Sequence, residues 1–484
     1  MCDRERGWSE VPPVKTWQLI AGSAVAGLAL SAVTVAAAGP WDSGQRKAER
    51  DRAASWSLMG GADHAAGSLP QAAPSAPGVL AGIGPGVARK AGAPDPGALA
   101  AALEPLLADP VLGTARTASV VDAATGEVLY ESGPRDAMTP ASTVKIATAS
   151  AALAALGPEY RIRTTVVPAA APGQVVLVGG GDPSLTAMKK SPAGSGGSLV
   201  ALAADTAQAL KAAGTDSVTL GYDDSLYSGP VRHPIGENDN LAPVTALMAD
   251  EGRPGESPSG PVERSKDPAQ DTARAFAALL KERGIKVTAD PARDKAPAGA
   301  RPLATTLSAP LGGLVERMLT NSDNDIAEAL ARQTAIASGQ PASFEGAEKA
   351  VTAKLASLGV DTAGARFADG SGLNRADKVS SSLLTGLLVR AADPQRPELR
   401  PVLTGLPVAG FTGTLRTRNT GGSQAAGLVR AKTGTLSGVN ALAGTVVAPS
   451  GRLLAFAFLS ANGPDGPTAE RGLDKLAAAV AATP

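Results

Sequence analysis

The chain has 484 residues, long enough for two or three domains around a large core, and its 45 basic residues balance 45 acidic ones. That balance, with aromatic residues at only 3%, excludes the clustered basic surface and stacking platforms of a nucleic-acid binder. One cysteine, Cys2, and two histidines, His64 and His233, exclude an intramolecular disulfide and a thiolate cluster and leave little room for a multi-histidine metal site, so no metal and no cofactor are expected.

After a short segment over residues 1–16, residues 17–38 form an apolar run of about the length that crosses a bilayer. Lys15 precedes it, and Ala36-Ala37-Ala38 offers a small-residue cleavage site. The run reads as a transmembrane signal anchor, being longer than the roughly 7–15 residues of a signal-peptide core, or as a signal peptide that is removed. Residues 39–96 are dominated by Ala, Gly, Pro and Ser and read as a flexible linker that holds a folded domain away from a membrane.

Folding is expected from residue 97. An apolar-periodic segment at 99–107 is followed by a hairpin, with strands at 118–122 and 127–131 joined by Ala123-Ala124-Thr125-Gly126. Thr139-Pro140 opens a helix, Thr as N-cap and Pro at the first helical position, which ends at Gly157-Pro158. An inserted α/β subdomain is expected over 161–261, with a strand at 174–178, a helix at 199–213 ended by Gly214, and a further strand. The main domain, 97–160 and 262–484, resumes with a helix at 271–283. Helices follow at 314–318, 325–337 and 345–358, then strands at 441–448 and 453–459 around Pro449-Ser450-Gly451, and a last helix at 469–481. Strands and helices do not alternate strictly, so the expected fold class is α+β with an antiparallel sheet flanked by helices.

Three short motifs carry chemistry. Ser142-Thr143-Val144-Lys145 puts a hydroxyl and an amine on one face of the first turns of a helix, where free N–H groups and partial positive charge favour a developing oxyanion. With histidine so scarce, Lys145 is the available base; burial and a second cation would lower its pKa toward the neutral form that this role needs. Ser322-Asp323-Asn324 lies between two helices: Ser322 could relay a proton and Asn324 hold a substrate amide, although a plain helix cap has the same composition. Lys432-Thr433-Gly434-Thr435 lies beside strand-like runs and offers a cationic, hydroxyl-rich carboxylate site, with Gly434 allowing close approach of a substrate backbone. Each motif alone reads as readily as ordinary structure; their occurrence together and in this order does not.

The set Ser-x-x-Lys, Ser-Asp-Asn and Lys-Thr-Gly resembles that of penicillin-binding proteins and serine β-lactamases. Four further segments resemble the class C low-molecular-mass penicillin-binding proteins, of penicillin-binding protein 4 type. They are Val178-Gly179-Gly180-Gly181-Asp182-Pro183-Ser184-Leu185, Asp223-Asp224-Ser225-Leu226-Tyr227-Ser228-Gly229-Pro230, Ala242-Pro243-Val244-Thr245-Ala246-Leu247-Met248 and Asp369-Gly370-Ser371-Gly372-Leu373-Asn374-Arg375. That family comprises D-alanyl-D-alanine carboxypeptidases and endopeptidases. The resemblance implies a β-lactamase/transpeptidase-like domain interrupted by an insert, an acyl-enzyme on Ser142, Lys145 as base, and Ser322, Asn324 and Lys432 as further catalytic residues. It implies substrate binding by Thr433, Gly434 and Thr435, and peptidoglycan peptides and β-lactams as partners. It also implies a catalytic domain outside the cytoplasm, membrane-held by a single N-terminal span or secreted. The insert is short for the family, and His233-Pro234 stand where a tryptophan is often found. Two rivals remain: a serine β-lactamase and a catalytically idle wall-binding protein. The class A lactamase glutamate has no counterpart, because Gly370 stands three residues before Leu373-Asn374.

Overall fold

The computed structural model describes residues 95–484 apart from 191–195, 256, 258, 420–422 and 465–466. The apolar run at 17–38, and all but the end of the expected linker, lie outside the described residues. Among the described residues, no helix is long and apolar enough to cross a membrane.

Helix α1 (Pro96–Leu107) starts on an Asp95 cap with proline at its first position, where no N–H is needed. Strands β1 (Ala115–Asp122) and β2 (Val128–Ser132) form the expected hairpin. A 3-10 turn, Ala141–Val144, leads into α2 (Lys145–Leu156), which Gly157 ends at φ 79°. Next come β3 (Arg163–Pro168), β4 (Gln174–Val178), α3 (Leu199–Ala212), β5 (Ser217–Asp223), α4 (Pro268–Glu282), β6 (Lys286–Val287), β7 (Ala292–Arg293) and β8 (Ala304–Leu307). Helices α5 (Leu311–Asn321), α6 (Asn324–Ala337), α7 (Phe344–Ser357) and α8 (Ser381–Ala392) precede β9 (Val429–Leu436), β10 (Val439–Val447), β11 (Leu453–Ala461) and α9 (Pro467–Ala482).

The main sheet has the order β2-β1-β11-β10-β9 and is antiparallel throughout. It joins the start of the chain to its end, because β1 pairs along its length with β11. Both faces of its centre are buried. Leu454, Phe456 and Phe458 pack with α1 and α9, while Ala455, Ala457 and Leu459 face the core that holds α2, α5, α6 and α8. Burial on both faces explains why β10 and β11 read as continuous apolar runs rather than alternating ones. Each fully buried Leu or Phe contributes about 1.5–3 kcal/mol. Helix α2 is the centre of the helical layer. Its Ala147, Ala149, Ala151 and Ala152 are buried, and these small side chains let it sit close to its neighbours. The α+β class, with an antiparallel sheet flanked by helices, is the fold observed.

The second sheet has the order β6-β5-β4-β3-β8, with β7 also paired to β5. β4, β5, β6 and β7 are parallel, and β3 runs antiparallel to both β4 and β8. Its core includes Leu199 and Leu202 of α3, Phe276 and Leu280 of α4, and Ile285, Val287 and Ala304 beyond them. The insert therefore extends past the boundary expected at 261, to about residue 307. The Gly/Pro-rich stretch before 261 is a loop within the insert, and the apolar stripe of α4 is buried against the second sheet rather than the first. β3, β8 and α8 were not distinguished from sequence.

Candidate active site

Ser142 does not sit three residues into an α-helix. It lies in the 3-10 turn before α2, and Thr139 does not cap: its hydroxyl donates to the Arg375 carbonyl at 3.2 Å. The expected helix start is displaced because Ala141 adopts φ 47°, a left-handed conformation that costs a non-glycine residue about 1–3 kcal/mol. The tight turn still keeps Ser142 and Lys145 in contact, because side chains three apart eclipse in a 3-10 helix. Lys145 Nζ donates to Ser142 Oγ at 3.0 Å.

Lys145 is fully buried at 0% exposure. Its amine also donates to Asn324 Oδ1 at 2.7 Å and to the Ser371 carbonyl at 2.5 Å. Burial pushes its pKa down to about 8, against the opposing charges of Asp369, Glu328 and Asp323. Asn324 opens α6, its amide spanning from Lys145 to the Asn240 carbonyl of the insert, 3.0 Å away. The Asn324 oxygen is committed to Lys145; a substrate amide carbonyl, the partner expected from sequence, would take a hydrogen bond from Nδ2, one of whose two N–H groups is used by Asn240.

Ser322 ends α5 in the left-handed region at φ 60°, and its hydroxyl has no hydrogen-bond partner among the described residues. Asp323 is the N-cap of α6, accepting from Ile326 N at 3.0 Å. The motif is thus a cap and a catalytic candidate at once. Behind it Glu251 of the insert pairs with Arg253 at 2.9 Å and closely with Arg317 of α5, and Asp325 pairs with Arg264 at 3.2 Å. These buried ion pairs fasten the insert to the elbow between α5 and α6.

Lys432, Thr433, Gly434 and Thr435 all lie within β9, whose outer edge pairs only through the Val408–Arg430 bridge among the described residues. A side chain at Gly434 would stand 2.6 Å from the Pro140 carbonyl and 3.2 Å from the Ala141 Cβ, so β9 packs directly on the turn that bears Ser142. Lys432 is fully buried, and its Nζ donates to the Thr433 carbonyl at 2.8 Å. Burial, then the charges of Lys145 and Arg418, drive its pKa well below the ordinary lysine value. Thr433 bonds Thr414 at 2.9 Å, and Thr435 donates to Glu470 of α9 at 3.1 Å. All eight residues singled out from sequence thus belong to one neighbourhood.

One part of the site went unassigned in the sequence. The loop at 369–374 is wound around the Asp369 carboxylate. Oδ1 accepts from Ser371 N at 3.0 Å and Gly372 N at 2.6 Å; Oδ2 accepts from Asn374 N at 2.7 Å and Ser371 Oγ at 3.2 Å. Glu328 of α6 accepts from Gly370 N and Ser371 N and pairs with the buried Arg332. Burial works to raise the Asp369 pKa, yet the hydrogen bonds from His233, Asp377 and the backbone hold it down to about 2. Burial and the Asp369 charge push Asp377 up to about 10, so Asp377 keeps its proton. The sequence signal for this loop was the family-like segment Asp369-Gly370-Ser371-Gly372-Leu373-Asn374-Arg375, to which no role was attached.

The D-Ala-D-Ala carboxypeptidase 3 (S13) family model matches residues 99–257 and 254–480. The chain is 40% identical over 391 residues to the carboxypeptidase DacB of Mycolicibacterium smegmatis, covering 79% of this chain and 83% of that one. It is 31% identical over 457 residues to a D-alanyl-D-alanine carboxypeptidase of an Actinomadura species, covering 78% and 84% of the two. Penicillin binding protein 4 (dacB) of Haemophilus influenzae has a similar fold, with a TM-score of 0.64 at 23% identity over 79% of this chain and 98% of that one. With a match that runs through both sheets and all three motifs, the chain belongs to the D-Ala-D-Ala carboxypeptidase 3 (S13) family.

Proposed function

We propose that the chain is a serine-type D-alanyl-D-alanine carboxypeptidase that acts on peptidoglycan stem peptides and is acylated by β-lactams. The observation that carries this is the position of Lys145. Buried, with a depressed pKa, it touches the Ser142 hydroxyl and the Asn324 amide together.

In this reading Ser142 Oγ attacks the carbonyl between two D-alanines, and its proton passes to neutral Lys145. The backbone N–H groups of Ser142 and Thr435 receive the oxyanion, each such donor being worth about 3 kcal/mol. The C–N bond then breaks, and the departing amine takes a proton relayed through Ser322 and Lys432. Water hydrolyses the resulting ester. The Lys432 ammonium is disfavoured in the free site, and an incoming substrate carboxylate would restore its charge; Thr433 and Thr435 would bind the same carboxylate. Cleavage of the cross-linking bond, the endopeptidase reaction, requires the same groups. Against a class A lactamase, a side chain at Gly370 would lie 2.6 Å from the Ala327 carbonyl, so no glutamate fits there. The apolar run at 17–38 and the linker after it support a catalytic domain held outside the cytoplasm, by an anchor or after signal cleavage.

The test is covalent labelling by a fluorescent penicillin, with D-alanine release from a muropeptide pentapeptide and product masses from a cross-linked dimer. Ser142→Ala should lose labelling and release. Persistent labelling of that variant would overturn the assignment, rapid penicillin turnover would favour a lactamase, and peptide binding without D-alanine release would favour the idle binder.

A further inference from the structure

His233 is the one histidine among the described residues, and both its ring nitrogens are engaged. Nδ1 accepts from the Ile235 backbone N–H at 3.2 Å. That lone pair is therefore occupied, which leaves the proton on Nε2. Nε2 in turn meets Asp369 Oδ2 at 2.9 Å, with the two side chains 2% and 0% exposed. The ring stands edge-on to Phe344, 5.3 Å between centroids, and Phe344 carries the Arg332 guanidinium on its face at 4.1 Å. Thus the imidazole is a neutral, fixed donor, unavailable as a base for Ser142.

The donor groups of His233, Glu328 and Asp369 lie within 4.8 Å of one another, a spacing that could hold a metal ion. Their lone pairs are already taken, however. Asp369 accepts from three backbone amides, a hydroxyl and His233, and Glu328 accepts from two backbone amides and Arg332. The cluster is satisfied by the protein.

What it does is hold the loop at 369–374. That loop presents the Ser371 carbonyl to Lys145, accepts Thr148 Oγ1 at the Gly370 carbonyl, and lays Gly372 against the Ala141–Ser142 peptide. His233 reaches it from the insert, through the His233–Gly236 turn. We infer that His233 is a positioning residue for Lys145, acting as a neutral hydrogen-bond donor that anchors Asp369 and offsets its charge. The inference rests on Ser142 and Lys145 being nucleophile and base. The other charged or titratable groups around the ring are Glu328 and Arg332 from α6 and, beyond Asp369, the protonated and so neutral Asp377; on its own turn Arg232 and Glu237 pair with each other at the surface, 2.7 Å apart.

The sign follows from the charges. Asp369 favours the Lys145 ammonium. Removing the Nε2–H donor leaves the carboxylate less compensated, so the lysine holds its proton more tightly. The acid limb of Ser142 acylation by a fluorescent penicillin, followed from pH 5 to 10, should then move up by as much as about one unit in His233→Leu. His233→Gln keeps a donor near the Nε2 position and should leave the limb where it is. A merely structural role would lower melting temperature and rate but leave the limb unmoved. An unmoved or downward limb in the leucine variant overturns the proposal. Independently of variant folding, imidazole nitrogen-15 spectra of the wild-type protein should show a neutral, Nε2-protonated ring at pH 7; a cationic ring there overturns it too. Ser142→Ala separates the two readings. If it still labels, the active-site assignment fails, whereas lost labelling with an unmoved His233→Leu limb removes only the His233 role.

Discussion

Lys145 donates to the carbonyl oxygen of Ser371 at 2.5 Å, across 226 residues of sequence. Its three acceptors come from its own turn, the start of α6 and the loop wound on Asp369, so the amine is held from three directions. As an ammonium it donates to all three; as a neutral amine it keeps two donors and its lone pair can accept from the Ser142 hydroxyl. Its proton is nevertheless loosened by burial.

The first prediction is a pH dependence. In the proposed mechanism the base must be neutral, and burial lowers the Lys145 pKa from the ordinary lysine value to about 8. Acylation should therefore rise with pH through about 8, with roughly a tenth of the maximal rate at pH 7. Lys145→Met should lose acylation by at least about a hundredfold at every pH, the usual worth of general-base catalysis. Penicillin acylation rates across the pH range check both, and a flat profile would exclude lysine as the base.

A second prediction concerns Gly372. It has φ 84°, and a side chain there would lie 2.1 Å from the Ala141 carbonyl oxygen and 3.0 Å from Ser142 N. Gly372→Ala must strain its own backbone and displace the turn that bears Ser142. We expect a stability loss of about 1–3 kcal/mol and a larger proportional loss in acylation. Melting temperature and labelling rate, measured side by side, separate the two; wild-type values for both would contradict the packing described.

Asp377 supplies a third. Its carboxyl has a raised pKa in the fold, so between the unfolded value near 3.8 and about 10 the folded state binds more protons than the unfolded one. This group's contribution to stability is complete below the unfolded pKa and is lost as pH rises through the folded pKa. Asp377→Asn, neutral at every pH, should flatten the decline in stability between pH 5 and 9 and remain folded at pH 7. Urea unfolding across that range tests it, and an unchanged slope would show that Asp377 is not the proton holder.

The sequence by itself determined the Ser142–Lys145 contact on which the proposed chemistry rests, for a physical reason. Ser142 and Lys145 are three residues apart, close enough that almost any helical turn brings hydroxyl and amine together, whether α or 3-10. Strands β10 and β11 were legible because burial on both faces leaves continuous apolar runs, and α1, α3 and α6 because their caps and stripes are local. The tertiary structure alone decided what surrounds the amine. Asn324, Ser371 and the Asp369–His233 pair meet at separations of 179, 226 and 136 residues. No local pattern encodes those contacts, since they depend on how α2, α6 and the insert pack. Packing likewise moved the insert's boundary to about residue 307: α4 carries an apolar stripe that either sheet could have covered, and only the folded chain chose between them.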